Sequence, residues 1–204
     1  MTGLRERKKE QTKQRIAAVA WRLFADRGFD AVTVNEIAEA AEVAKATLFT
    51  YFPTKESLAL QGVGEDDLAG IVAGRPSGTS ALAALRAHYR AFAADGTAGL
   101  DRDTLVSRIR VIFDSPTLGN AAGGLLYRQR QALAAVLAEE YGDAAAPLMA
   151  AQIAASLLTL QETFFHRLAG GASLEDTRRG LAADVELAFD LLEHGLGQAH
   201  GKGR

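Results

Sequence analysis

The sequence predicts an all-α protein of about nine helices, and three observations carry that prediction. Alanine, the strongest helix former, makes up about a fifth of the 204 residues, only four prolines interrupt them, and no run of alternating β-branched residues occurs. An apolar share of 48% supplies a sizeable core, enough for one large or two small domains. The absence of cysteine excludes disulfides, thiol catalysis and cysteine-ligated zinc. No apolar run follows the basic N-terminus, so no signal peptide is expected and the expected location is cytoplasmic.

The elements follow in order. Residues 1–8 are polar and read as an unstructured arm, after which Ile16, Val19, Ala20, Leu23 and Phe24 stand at helical spacing from Lys9 to Arg27. Gly28 ends that helix. Trp21 lies off the apolar stripe and reads as packing against a neighbouring helix. Net charge is −2, yet residues 1–27 hold eight basic groups against three acids, an excess of +5 that marks this end for phosphate. Thr33-Val34-Asn35-Glu36 matches a capping box and starts a second helix with Ile37, Ala38 and Ala41 inward. Glu42-Val43 marks a brief turn, and Ala44 to Phe52 forms a third helix whose Leu48 and Phe52 face the core. Lys45, Ala46, Thr47, Phe49, Thr50 and Tyr51 then look outward. A face with a cation, two hydroxyls, a phenol and little bulk suits the major groove of DNA, about 12 Å wide.

The residues from Leu23 to Glu56 carry a resemblance. Leu23-Phe24-Ala25-Asp26-Arg27-Gly28-Phe29, the Thr33 cap, Glu36-Ile37-Ala38, Val43, Lys45, Thr47-Leu48, Tyr51-Phe52 and Lys55-Glu56 are similar to the N-terminal helix-turn-helix of the TetR family of transcriptional repressors. The chain departs from that pattern at Glu42 and Ala46, where the family usually has Gly, at Ala44, where it has Ser, and at Phe49, where Tyr is frequent. The resemblance implies a DNA-binding domain over 1–55 and an effector-binding and dimerisation domain over 56–204. Thr33, Lys45, Ala46, Thr47, Phe49, Thr50, Tyr51 and Lys55 are the expected DNA-binding residues, with Thr33 and Lys55 holding phosphates from two helix N-termini.

Past Pro53, Thr54 caps a fourth helix with Leu58, Leu60, Val63, Leu68 and Ile71 as apolar positions, weakened by Gly62, Gly64 and Gly70. These glycines are read either as a regulatory pivot or as an aid to close packing. Ala73 to Thr79 is a linker. Helices follow over Ser80 to Asp95, Arg102 to Asp114 and, with Ser115 as cap and Pro116 at its first position, Pro116 to Tyr141. Ala144 to Gln161 has no charged residue, and after Gly170-Gly171 a final helix opens at Ser173. Pro147, Gln152, Ser156, Thr159 and Gln161 interrupt the apolar run and argue against a membrane span. Apolar surface beyond one face on these two helices, from Pro147 to Leu168 and from Ser173 to His194, is expected to pair with a second copy, with Leu157 and Phe189 as candidate contacts.

Catalysis finds little support: four scattered histidines, no phosphate loop, no nucleophile elbow. Glu162 and His166, one turn apart, are short of a metal site, and no cofactor is expected. Polar and aromatic residues on the middle helices are candidates for an effector pocket: Tyr89, Phe92, Arg108, Ile112, Phe113, Leu126, Tyr127, Gln131, Gln161, Glu162, Phe164 and His166. The expectation is a homodimeric repressor that releases a palindromic double-stranded operator on binding a small, hydrophobic effector. Two alternatives stay open, a helical small-molecule-binding protein or enzyme retaining the head, and a repressor controlled by a protein partner.

Overall fold

The computed structural model describes residues 3–61, 66–95 and 101–195. Among them are ten α-helices and no strand: α1 (Leu4–Arg27), α2 (Val34–Ala40), α3 (Lys45–Tyr51), α4 (Lys55–Ala59), α5 (Leu68–Ala73), α6 (Ala81–Asp95), α7 (Arg102–Phe113), α8 (Pro116–Tyr141), α9 (Ala146–Ala169) and α10 (Leu174–His194). The expected fourth helix is two. Leu60 leaves helical geometry at φ −91° and ψ 13°, and Asp67 caps a new start by accepting from the Gly70 N–H at 2.8 Å. The first helix begins at Leu4 rather than Lys9, so most of the expected arm is helical. Gly62 and Gly64 of the proposed pivot lie outside the described residues.

Two compact units divide the chain, one of residues 1–65 and 107–124, the other of 66–106 and 125–204. In the first, α1 packs on α2 and α4, and α2 on α3, around Ile16, Ala20, Phe24, Phe29, Ile37, Leu48 and Leu58. Gly28 stops α1 with a positive φ of 79° while its N–H donates to the Phe24 carbonyl, as the sequence predicts.

In the second unit, α10 packs on α6 and α9, and α5 on α6. Helix α9 is apolar and long enough to cross a membrane by composition, with a mean hydropathy of 1.2. Its buried residues Ala146, Ala150, Ile153, Leu157, Leu160, Phe164 and Leu168 recur at three- and four-residue steps, the stripe of a core helix. Arg86 on α6 ties that helix to α10 through Glu186 at 2.6 Å, Asp190 at 2.7 Å and Glu193 at 3.1 Å. Arg90 donates to Glu186 as well, and hydrogen bonds from Arg90 and then Arg86 lower the Glu186 carboxyl to about 2.

Candidate nucleic-acid interface

The site begins at the loop after α1. Arg27 donates to the Ala31 carbonyl at 3.0 Å and pairs with Glu36 at 2.8 Å. Phe29 and Val32 are buried, which folds the loop inward. At its end Thr33 forms the predicted capping box: its Oγ1 accepts from the Glu36 N–H at 3.3 Å, and Glu36 Oε2 accepts from the Thr33 N–H at 2.8 Å. The Thr33 hydroxyl also donates to that carboxylate at 2.8 Å. Thr33 N–H, Thr33 hydroxyl and Arg27 together lower the Glu36 carboxyl to about 2.

The turn between α2 and α3 is a Schellman motif. The Val43 N–H donates to the Ala38 carbonyl and the Glu42 N–H to the Glu39 carbonyl, both at 3.0 Å. Glu42 occupies the left-handed position of that motif at φ 52°, where glycine is strain-free. The turn then delivers the chain to Ala44, an N-cap without a side-chain hydrogen bond. Leu48 and Phe52 are buried behind α3, while Lys45, Ala46, Phe49 and Thr50 are exposed and Thr47 and Tyr51 half-buried. Lys45 Nζ lies 6.0 Å from the centroid of the Phe49 ring, so cation and apolar ring stand together on the outer face. The Thr50 hydroxyl donates to the Ala46 carbonyl at 3.0 Å, leaving its lone pairs and methyl outward.

Lys55 has a task the sequence does not signal. Its Nζ donates to the Phe29 carbonyl at 3.0 Å and the Val32 carbonyl at 2.9 Å, and sits 4.0 Å from the centroid of the Phe29 ring. The ammonium thus clasps the α1–α2 loop. Asp30 in the same loop is held below the usual carboxylate range by hydrogen bonds from the side chains of Ser115 and then Thr117. None of Asp30, Ser115 and Thr117 stands out in the sequence as part of the head, because no local pattern connects residues so far apart.

The candidate effector residues are distributed over both compact units: Arg108, Ile112 and Phe113 belong to the first, the others to the second. Arg108 stacks over Trp21 at 4.9 Å, and its pKa is lowered by burial. Tyr89 is buried, with its hydroxyl on Asp66 Oδ2 at 3.1 Å, and His88 Nε2 meets the other Asp66 oxygen at 3.1 Å. Burial, with Asp66 beside it, raises the Tyr89 phenol well above its ordinary range. Gln131 donates to the Tyr127 hydroxyl at 2.8 Å. Phe164 is buried against Phe165, Leu126, Gln161 and Glu162 are half-buried, and Phe92 and His166 are exposed.

Leu157 and Phe189, expected at a subunit contact, lie in the core of the chain itself at 5% and 0% exposure. The helical stripe that carries them faces inward, so they are not available to a second copy. On the same two helices Leu158 is 37% and Leu187 60% exposed, and a groove of about 370 Å³ runs between the helices past Ser156, Thr159, Thr163, Leu187 and Leu191. Asp190, Glu193 and His194 offer ligand atoms within 4.8 Å of one another, but the Arg86 guanidinium already bridges the two carboxylates.

Comparison with known proteins decides the kinship of this helix-turn-helix: residues 16–61 match the family model of the bacterial regulatory proteins, tetR family. This N-terminal part is similar to the DNA-binding domain of the TetR family of transcriptional regulators. The chain is 34% identical over 122 residues to the HTH-type transcriptional regulator TcmR of Streptomyces glaucescens, a match that spans 57% of this chain and about half of that protein, 54%. A longer match, 28% identical over 192 residues and 93% of each chain, is to the putative mycofactocin biosynthesis transcriptional regulator MftR of Mycobacterium tuberculosis. Among solved structures, NalD of Pseudomonas aeruginosa, the secondary repressor of the MexAB-OprM multidrug efflux pump, superposes with a TM-score of 0.59 at 16% identity, over 89% of this chain and 96% of that one. That likeness establishes the all-α fold. TetR-family members are transcriptional regulators, not enzymes.

Proposed function

We propose that the chain is a homodimeric repressor that reads a palindromic operator with α3 and releases it when a small, largely hydrophobic effector binds. The observation that carries this reading is the outer face of α3, where Lys45, Ala46, Phe49 and Thr50 are exposed over a core-anchored Leu48 and Phe52. Such a face offers a cation for phosphate or guanine, a ring for the thymine methyl and a hydroxyl of either sense. Thr47 and Tyr51 flank it at the edges of the groove. Lys55 and Thr33, whose polar atoms are engaged within the head, support this surface by fixing the loop and the α2 start, and the exposed α1 cations Lys8, Lys9, Arg15 and Arg22 supply phosphate attraction.

Residues 1–55 would then provide reading and residues 56–204 effector binding and dimerisation. A second copy is supported by the exposed leucines of α9 and α10, which leave an apolar surface on helices already packed against each other. Selection of bound sequences from random duplexes tests the proposal: an inverted repeat with half-sites about one helical turn apart, roughly 34–36 Å, is expected. Recovery of unrelated sequences with no repeat would refute it.

A further inference from the structure

The residues of α3, Lys45–Tyr51, are poor in the groups that read a base edge by hydrogen bonding. No Arg, Asn or Gln, the side chains that fork onto guanine or adenine, occurs among them, and Lys45 is their only cation. The Thr50 hydroxyl already gives its proton to the Ala46 carbonyl at 3.0 Å. Thr47 and Tyr51 are half-buried at the edges of the face.

What the outer face presents instead is carbon. Ala46, Phe49 and Thr50 stand at i, i+3 and i+4 of one helix, so the Ala46 methyl, the Phe49 ring and the Thr50 methyl adjoin one another. All three residues are exposed, Phe49 to 39%, while Leu48 and Phe52 are buried behind them. The Phe49 ring has no hydroxyl to offer a phosphate. Among the base-pair edges that unmodified DNA shows in the major groove, the thymine 5-methyl is the one apolar group, so a carbon patch tells bases apart through that methyl.

We propose that Phe49 sets the choice of operator by seating a thymine 5-methyl group against the patch it forms with Ala46 and Thr50. The inference rests on the reading role proposed above for α3 and deepens it, since it assigns discrimination to an apolar contact rather than to hydrogen bonds. The Lys45 ammonium, 6.0 Å from the centroid of the ring, then holds a phosphate or a guanine beside the thymine. Two duplexes that offer the same donors and acceptors and differ by one methyl group should be told apart.

The test takes the duplex that the full-length wild type selects and replaces each thymine of both half-sites in turn by deoxyuridine, which deletes the 5-methyl and keeps every hydrogen-bonding group. Affinities are measured for the wild type, Phe49→Ala and Phe49→Leu. At one or two positions of each half-site the wild type should bind the deoxyuridine duplex more weakly, by roughly three- to fivefold for each methyl lost. The salt slope should stay the same, because no phosphate contact is removed. Phe49→Ala should bind the two duplexes nearly alike, and Phe49→Leu, which restores apolar bulk, should regain part of the difference. Equal affinity of the wild type for thymine and deoxyuridine at every position overturns the inference and leaves the reading role standing. A difference that persists undiminished in Phe49→Ala comes from the shape of the DNA or from another residue, and overturns it as well. A wild type that selects no duplex overturns the reading role itself. Because Phe49 lies outside the core of the head, both variants should fold, and the wild-type comparison of the two duplexes is decisive without them.

Discussion

Glu36 shows how one side chain organises the start of the reading motif. Its carboxylate receives the Thr33 N–H, the Thr33 hydroxyl and the Arg27 guanidinium, and is lowered from 4.5 to about 2. A carboxyl depressed on folding adds stability that is complete above its unfolded value and lost as pH falls toward its folded value. The stability contributed by Glu36 is therefore present above about pH 4.5 and disappears between there and about pH 2. Urea melts of the wild type and Glu36→Gln at neutral pH and at pH 3 check this. The gap between them should narrow on acidification, because the protonated acid and the amide are then nearly alike, and a constant gap would exclude the ionised capping box as its source. Lys55 sits at the same scale and teaches the opposite lesson, since a lysine at a helix start reads as a phosphate ligand until its two carbonyl partners, 26 and 23 residues away, are known.

At the scale of elements, the turn between α2 and α3 departs from its own ideal. The Schellman bonds require a left-handed residue, and Glu42 supplies it at φ 52° with a Cβ that such a backbone disfavours. The sequence already points to this strain, because Glu stands where glycine is expected and the turn is too short for an alternative. Glu42→Gly should raise stability by about 0.5–1 kcal/mol, after the flexibility glycine adds to the unfolded chain, and Glu42→Val should lower it by about 1 kcal/mol or more. Equal stability of the three proteins in denaturant melts would mean that the turn relaxes instead. Helix boundaries from α6 onward follow periodicity and caps closely: Pro116 to Tyr141 is the predicted helix and the observed one. The break between α4 and α5 was not legible, since apolar residues continue past it at Leu68 and Ile71, and the Leu60 geometry together with the Asp67 cap distinguishes two helices. That cap also alters any glycine experiment here, because a Cβ on Gly70 would lie 2.3 Å from the Asp67 carboxylate and displace it.

For the molecule as a whole, periodicity reveals which helices are apolar but not which apolar residue faces inward once a helix has two apolar sides. On α9 and α10 this ambiguity made Leu157 and Phe189 read as subunit contacts, whereas the chain buries them and exposes Leu158 and Leu187. The candidate effector residues suffer from the same limit, and pairs such as Arg86 with Glu186 or Asp30 with Ser115 join residues that no local pattern relates. If α9 and α10 meet a second copy, Leu187→Arg should bury an unpaired charge at several kcal/mol and give a folded monomer at micromolar concentration by sedimentation. Phe189→Arg should instead unfold the chain. A Leu187→Arg protein that stays dimeric would move the contact elsewhere. The proposed reading of base edges by the outer face of α3 is tested by the affinity of wild type and Thr50→Ala for a selected operator and its single-base variants at fixed salt. Preference at particular base pairs should change by about 1–3 kcal/mol while the rest of the operator is read as before, and a loss uniform across every duplex would contradict the account.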